Sequence, residues 1–187
     1  MGSKENFYVD LSTDCSNVTG SCHLENVRFP NDTKTKFLVD CGLHQGKEEC
    51  SFIHGKTADE LNKKLFFNPE DISFCLVTHN HVDHTGRLPL LTKGGFKGSI
   101  YMSEDTRVLL PLALNDSQKC LRDIAKRNNT KVLYSETDVE KVLNQSKTCI
   151  FEKTEQIGDH IKVTYFNNGH LIGAAIILVQ ISYPEKE

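Results

Sequence analysis

The strongest constraint on the fold is an apolar run at residues 72–78 that leads directly into a cluster of ligand-type side chains. A continuous apolar run of this length is typical of a strand buried on both faces of a sheet, with helices covering it. Residues 79–84 then have the sequence H-N-H-V-D-H, which places three of the eight histidines of the chain within six positions. The sequence therefore predicts a buried strand that ends in a polar, functional segment.

The remainder of the chain alternates between strand and helix patterns around this run. Strand patterns occupy residues 7–11, 21–27, 36–42, 99–102, 148–151, 161–166 and 174–182. Helical patterns occupy residues 57–67, about 104–127 and 137–143, and Pro111 is expected to limit the regularity of the second of these. A turn at residues 30–32 predicts a hairpin from the two strand patterns that flank it. Helices dispersed among strands indicate a mixed α/β fold (α+β layered).

Composition excludes several classes of protein. The chain has 187 residues and a net charge of −3, which suits one domain or part of one. No apolar run approaches the ~20 residues of a membrane span, so no membrane partner is expected. The balanced charge argues against a generally basic nucleic-acid binder but leaves room for a local basic groove. Seven cysteines with irregular spacing and no C-x-x-C predict small buried thiols in a cytoplasmic protein.

The histidine cluster has the spacing of a metal site. Side chains alternate at the end of a strand, so His79 and His81 are expected to point the same way and to share one ion. Asp83 and His84 lie beyond the next bend, in the first turn of a helix that begins near residue 85. From there they can serve a second ion, or Asp83 can orient a metal-bound water.

A third ligand for the first ion must come from elsewhere, because catalytic zinc usually takes three protein ligands. His170 is the candidate, since it follows one strand pattern and precedes another. The flanking Gly169 and Gly173 permit close approach of the backbone. A lone histidine between glycines is more often structural, and it is the cluster at residues 79–84 that favours His170 as a ligand.

Residues 78–86 resemble the signature of the metallo-β-lactamase fold. Residues 20–24, 39–46, 87–91 and 168–175 are similar to segments of its β-CASP nuclease branch, which includes the pre-mRNA 3′-end cleavage endonuclease and its bacterial and archaeal relatives. The resemblance implies an αββα sandwich. Residues 1–187 would form the N-terminal part of that domain, without the β-CASP insertion and the C-terminal part.

The resemblance also implies roles for individual residues. The metal ligands would be His79, His81, Asp83, His84 and His170. Asp83 and His84 would also be the catalytic residues, and Asp40 would support the metal loop through hydrogen bonds. Two zinc ions are expected in the complete enzyme, with manganese as an alternative. No aspartate follows His170 to match the family's bridging residue, so the isolated chain is expected to have reduced activity or none.

The leading hypothesis is a β-CASP-type ribonuclease, in which a zinc-activated hydroxide attacks an RNA phosphodiester. One alternative is a hydrolase of a small-molecule ester, thioester or lactam, because fold does not fix substrate. Another is a catalytically silent partner that retains the fold for binding. RNA is the expected partner, with single-stranded DNA and a homodimer as open alternatives. The candidate phosphate contacts are Arg87, Lys93, Lys97 and Arg107, although for each of them alone a solvated surface position is the more common role.

Overall fold

The computed structural model describes residues 8–13, 19–46 and 57–182. The strands are β1 (Tyr8–Thr13), β2 (His23–Arg28), β3 (Lys34–Val39), β4 (Phe74–Leu76), β5 (Ser99–Ser103), β6 (Ser146–Cys149), β7 (Thr154–Gly158), β8 (Ile161–Asn167) and β9 (Ala175–Ile181). The helices are α1 (Ala58–Asn62), α2 (Val82–Thr85), α3 (Leu88–Lys93), α4 (Glu104–Arg127) and α5 (Glu136–Gln145), and a single 3-10 turn covers Pro69–Asp71. Cys15, Cys50 and His54 lie outside the described residues.

The strands form two sheets. The larger has six strands in the order β1-β2-β3-β4-β5-β6, and the smaller has the order β7-β8-β9. The pairing of β2 with β3 is antiparallel, which confirms the hairpin predicted around residues 30–32. Strands β3, β4, β5 and β6 are parallel, so their carboxyl ends meet at one edge of the larger sheet. The segment at residues 79–84 emerges at this edge.

Two apolar cores divide the molecule into layers. One core joins the helices to the larger sheet and includes Leu110, Val142 and Ile100. The other lies between the two sheets and includes Phe74 and Tyr165. The described residues therefore form a helix–sheet–sheet sandwich, which confirms the α/β class. No helix that the structure describes is long and apolar enough to cross a membrane.

Helices α1 and α4 and strand β7 differ from what the sequence patterns predicted. Helix α4 is continuous in spite of Pro111, because leucines on its inner face, such as Leu110 and Leu114, are completely buried against the sheet. Helix α1 begins with a capping box formed by Thr57 and Glu60, and it is shorter than the pattern at residues 57–67. Strand β7 was not predicted, because a sequence of T-E-Q-I-G has too little apolar alternation to be recognised.

The described cysteines are free thiols. The interpretation as small buried residues is confirmed for Cys22, Cys41, Cys75 and Cys149, and it is wrong for Cys120, which is exposed on α4. Burial raises the pKa of the Cys75 thiol well above its usual range, so this thiol remains protonated and unreactive.

Candidate metal centre

His79 and His81 converge at the carboxyl edge of the larger sheet. His79 follows the buried end of β4, and His81 occupies the N-cap position of α2. The Nε2 atom of His79 lies 3.2 Å from the Nδ1 atom of His81. His79 is buried and His81 is exposed, so the pair has one anchored member and one that faces solvent. The two side chains thus point towards the same place, as expected, with their ring planes inclined by 72°.

The loop between β8 and β9 approaches the same edge from the smaller sheet. The hydroxyls of Ser103 and Thr106, at the start of α4, donate hydrogen bonds of 2.6 and 3.0 Å to the carbonyl of Gly173. The amide of Ala175 donates to the carbonyl of Thr78 at 2.9 Å. Gly173 has a φ of +83°, a backbone conformation that would be strained for a residue with a side chain. These bonds fix the loop directly beside the segment that carries His79.

His170 lies on this loop, and its ring completes a group of three imidazoles. Its ring centroid is 5.1 Å from that of His79 and 5.2 Å from that of His81. One nitrogen from each of the three residues falls within 4.8 Å of the others. Imidazole nitrogen is a preferred ligand of zinc, and three such donors with an open side match a catalytic rather than a structural site. The donor set therefore fits a zinc ion.

Asp40 holds the neighbouring segment in place through hydrogen bonds. Its side chain is buried, and its Oδ2 atom lies 2.7 Å from Nδ1 of His84. Its Oδ1 atom accepts a hydrogen bond of 2.8 Å from the amide of Thr78. Asp40 has a φ of +61°, a backbone conformation that aspartate tolerates better than most residues. The geometry agrees with a supporting role, in which Asp40 orients other side chains.

Thr78 links this aspartate to the imidazoles. Its hydroxyl lies 2.8 Å from Oδ2 of Asp40 and 2.9 Å from Nδ1 of His79. With Nδ1 occupied, the Nε2 atom of His79 is the one directed at His81. Hydrogen bonds of this kind fix ring orientation and tautomer in metal sites. The sequence interpretation gave Thr78 no role, although its position immediately before His79 was the available signal.

Asp83 and His84 lie beside the three imidazoles. The rings of His79 and His84 are 4.0 Å apart between centroids. Nε2 of His84 is 3.8 Å from Oδ2 of Asp83, so the two side chains face each other across a small gap. Among the described residues they form a pair next to the group of three. Their assignment to a second ion remains a prediction.

Two loops are packed against each other to position Asp83 and His84. The amide of Ser21 donates to the carbonyl of Asp83, and the amide of Cys41 donates to that of His84, both at 2.8 Å. A Cβ atom on Gly42 would lie 1.6 Å from the carbonyl oxygen of Asp83, so only glycine allows this approach. The loops at residues 20–21 and 40–43 are thus packed firmly against the segment at residues 79–84.

Arg87 is neither a phosphate contact nor a solvated surface residue, so both roles considered for it are wrong. Its side chain is completely buried, and its guanidinium donates to the backbone carbonyls of Gly42, Leu61 and Gly20. Arginine carries five N–H donors in a fixed fork, which allows one side chain to satisfy several carbonyls. Arg87 therefore joins three segments beneath the candidate site and has no access to a substrate.

The pKa values of two histidines are shifted in opposite directions. Burial, together with the neighbouring His84, lowers the pKa of His79 from 6.5 to about 4. Burial also acts to lower the pKa of His84, but the hydrogen bond and negative charge of Asp40 outweigh it and raise this pKa. His79 is consequently neutral at physiological pH, which is the form that binds a metal ion.

Titration of the metal-free protein should separate these two histidines. Between pH 6.5 and about 4 the unfolded chain protonates His79 while the folded chain does not, so its contribution to stability falls with decreasing pH. The contribution of His84 has the opposite sign and is lost as pH rises through its raised pKa. Because the two oppose each other, the check is NMR titration of each ring rather than global stability.

We expect the ring resonances of His79 to report a neutral imidazole until the pH approaches about 4, and those of His84 to report a pKa raised above 6.5. Substitution of Asp40→Asn should return the pKa of His84 towards or below 6.5, because the charge is removed and burial remains. A midpoint near 6.5 for His79 in the unmodified chain would contradict the expectation.

The comparison with protein families agrees with the geometry. Residues 27–166 match the model of the metallo-beta-lactamase superfamily. The chain therefore belongs to this superfamily, and the resemblance found in residues 78–86 is confirmed.

Curated relatives have names from RNA metabolism. Transcription termination factor FttA of Methanocaldococcus jannaschii is 32% identical over 147 residues, which cover 79% of this chain and 22% of that protein. Ribonuclease TTHA0252 of Thermus thermophilus is 30% identical over 163 residues, or 87% and 32% of the two chains. Endoribonuclease ysh1 of Aspergillus fumigatus is 29% identical over 169 residues, or 88% and 17%. The chain thus spans a third or less of the length of these relatives.

Proposed function

We propose that this chain provides the metal-binding half-site of a zinc-dependent ribonuclease that hydrolyses RNA phosphodiester bonds. The observation that carries the proposal is the convergence of the imidazoles of His79, His81 and His170 at one sheet edge, with Asp83 and His84 alongside. The names of two relatives, a ribonuclease and an endoribonuclease, support RNA as the substrate class.

Each residue has a distinct part in this proposal. His79, His81 and His170 would hold one zinc ion, and Asp83 with His84 would contribute to a second. Zinc, when bound, lowers the pKa of water and stabilises negative charge that develops on a phosphoryl oxygen.

The two catalytic candidates, His84 and Asp83, would have different roles. Nδ1 of His84 is engaged by Asp40, so Nε2 is the atom available to ligand or substrate. The carboxylate of Asp83 would position the attacking water and accept its proton.

Cleavage of a fluorogenic single-stranded RNA tests the proposal. Because the bridging aspartate is missing, we expect weak activity that disappears on chelation, returns with zinc, and falls by at least a further ~100-fold in His81→Ala, since loss of a metal ligand removes the activated water. His81 is exposed, so its substitution leaves the core intact. The matched control is His160→Ala, which alters a histidine packed against Phe29 outside the group of three imidazoles.

The outcomes separate the hypotheses. Cleavage that survives chelation, or that is equal in His81→Ala, would show that the activity arises from a contaminant and would overturn the assignment. A chain that binds zinc stoichiometrically but leaves RNA intact would favour the catalytically silent alternative.

A second candidate function follows from the cavity beside His81. This cavity has a volume of about 690 Å³, and its lining includes Asp59 and Asp116 but no lysine or arginine among the described residues. Such a surface suits an uncharged small ester, thioester or lactam better than a phosphodiester. Hydrolysis of a chromogenic lactam and a thioester, measured on the same zinc-loaded samples, would favour this alternative if it exceeded RNA cleavage.

A further inference from the structure

A basic groove lies at the opposite end of β4 from the histidines. It has a volume of about 600 Å³ and is formed where the segment after α1, the 3-10 turn at Pro69–Asp71 and the end of α3 meet. Its lining includes Lys63, Lys64 and Lys93 but no aspartate or glutamate among the described residues. The groove is thus a cationic surface on a chain whose net charge is −3.

An aromatic ring is presented to solvent in this groove. The side chain of Phe66 is 45% exposed. Its ring lies edge-on to Phe67, with centroids 4.9 Å apart, and Phe67 packs against the core between the helices and the larger sheet. One phenylalanine therefore anchors the segment while the other remains accessible. An accessible aromatic ring among cations is the composition of a surface that binds single-stranded nucleic acid.

The lysines of the groove retain capacity to bind phosphate. Lys64 makes no hydrogen bond or ion pair with the residues that the structure describes, and Lys93 donates one hydrogen bond, of 2.7 Å, to the carbonyl of Leu133. Lys63 pairs with Asp59 on the solvent side, and such exposed pairs are weak enough to exchange partners. Apart from Asp59, the cavity beside His81 is lined by a second carboxylate, Asp116, and by no lysine or arginine among the described residues. Of these two surfaces, the groove is therefore the one whose charge complements a phosphate backbone.

We propose that this groove is an exosite for single-stranded RNA, in which a base stacks on Phe66 and the flanking phosphates contact Lys63, Lys64 and Lys93. The proposal rests on the proposed function for the identity of the nucleic acid. Residues 73–78 separate the groove from the candidate metal centre, a span of roughly 20 Å at ~3.3 Å per residue. RNA held here would extend towards the histidines, so the exosite retains substrate near the site of cleavage.

Fluorescence anisotropy with a labelled RNA of about 16 nucleotides tests the exosite, because single-strand sites span ~4–16 nucleotides. We expect Phe66→Ala to weaken binding about five- to tenfold. We expect Lys64→Gln to reduce the slope of log affinity against log salt by about 0.7, the value for one phosphate contact on a single strand. The matched controls are Phe166→Ala and Lys162→Gln on β8, which remove a ring of comparable exposure, 37% against 45% for Phe66, and an exposed cation outside the groove.

The salt slope separates direct contact from a structural effect, because a general loss of folded protein lowers affinity without changing the slope. Unchanged affinity in Phe66→Ala together with an unchanged slope in Lys64→Gln would overturn the exosite. Equal effects in the control variants would overturn it as well, since they would place RNA elsewhere.

Cleavage assays on the same samples distinguish failure of the exosite from failure of the proposed function. If RNA binds in the groove and is not cleaved with zinc, the exosite stands and the ribonuclease assignment fails. If RNA is cleaved with the same KM by the groove variants, the assignment stands and the exosite fails. The full proposal predicts a raised KM with unchanged kcat for long RNA in Phe66→Ala, and no change for an RNA of about four nucleotides.

Discussion

Replacement of Arg87 by methionine should destabilise the chain by about 3–5 kcal/mol, because it breaks a buried hydrogen-bond network. The guanidinium of Arg87 is completely buried and donates to the carbonyls of Gly42, Leu61 and Gly20. Hydrogen bonds to charged groups contribute about 1.5–3 kcal/mol each, and an unsatisfied buried carbonyl costs ~1–3 kcal/mol. Methionine fills the space but satisfies none of the three carbonyls.

Urea denaturation followed by circular dichroism measures this effect. Arg107→Met is the matched control, because Arg107 is exposed on α4 and the same change there should stay within about 0.5 kcal/mol. Arg87→Lys should be nearly as damaging as methionine, because an ammonium group cannot match the fork that spans three carbonyls. Equal denaturation midpoints for Arg87→Met and Arg107→Met would contradict the structural role.

Arg87 also shows where sequence reasoning ends. An arginine directly after a histidine-rich segment is chemically suited to phosphate, and nothing in its neighbours along the chain marks it as buried. Its burial depends on loops at residues 20–21 and 40–43 that pack over it in three dimensions. Local sequence patterns do not reveal such long-range packing. The charge of Arg87 therefore suggested a position on the surface, whereas the fold buries it.

The candidate metal centre was far more predictable, because its signals are chemical and most of them lie within residues 79–84. The alternation at the end of β4 predicted that His79 and His81 share an orientation, and the need for a third zinc ligand led to His170. The long helix at Glu104–Arg127 and the buried strands were likewise recoverable from apolar periodicity. Thr78 was not assigned, because its hydroxyl acts on Asp40 and His79 through contacts that only the folded chain brings together.

The residues of the basic groove are plain in the sequence, but only the fold shows that they share one surface. The sequence K-K-L-F-F at residues 63–67 could equally be the end of an amphipathic helix. The structure ends α1 at Asn62, which leaves Phe66 exposed and brings Lys93 from α3 to the same surface. A local basic groove was compatible with the net charge, but its location was not readable from composition.

Zinc should raise the thermal stability of the chain, and this increment should depend on His170. A ligand that binds only the folded state at about 1,000 times its dissociation constant stabilises by ~4 kcal/mol. For a chain of 187 residues this corresponds to a rise in Tm of roughly 10 °C. In His170→Ala the third imidazole is missing, so the same zinc concentration should yield little or no increase. His170 is exposed, and its removal leaves the apolar cores unchanged.

His160→Ala again provides the control, because zinc also binds cysteines and histidines of the unfolded chain and thereby reduces the measured increment. This background is common to both variants, so the difference between their increments isolates the site formed by residues 79, 81 and 170. Differential scanning calorimetry of the unmodified chain and the two variants, each with and without zinc after exhaustive chelation, gives the six values required. An increment that persists in His170→Ala, or that is absent from the unmodified chain, would mean that the three imidazoles approach one another for a reason other than metal binding.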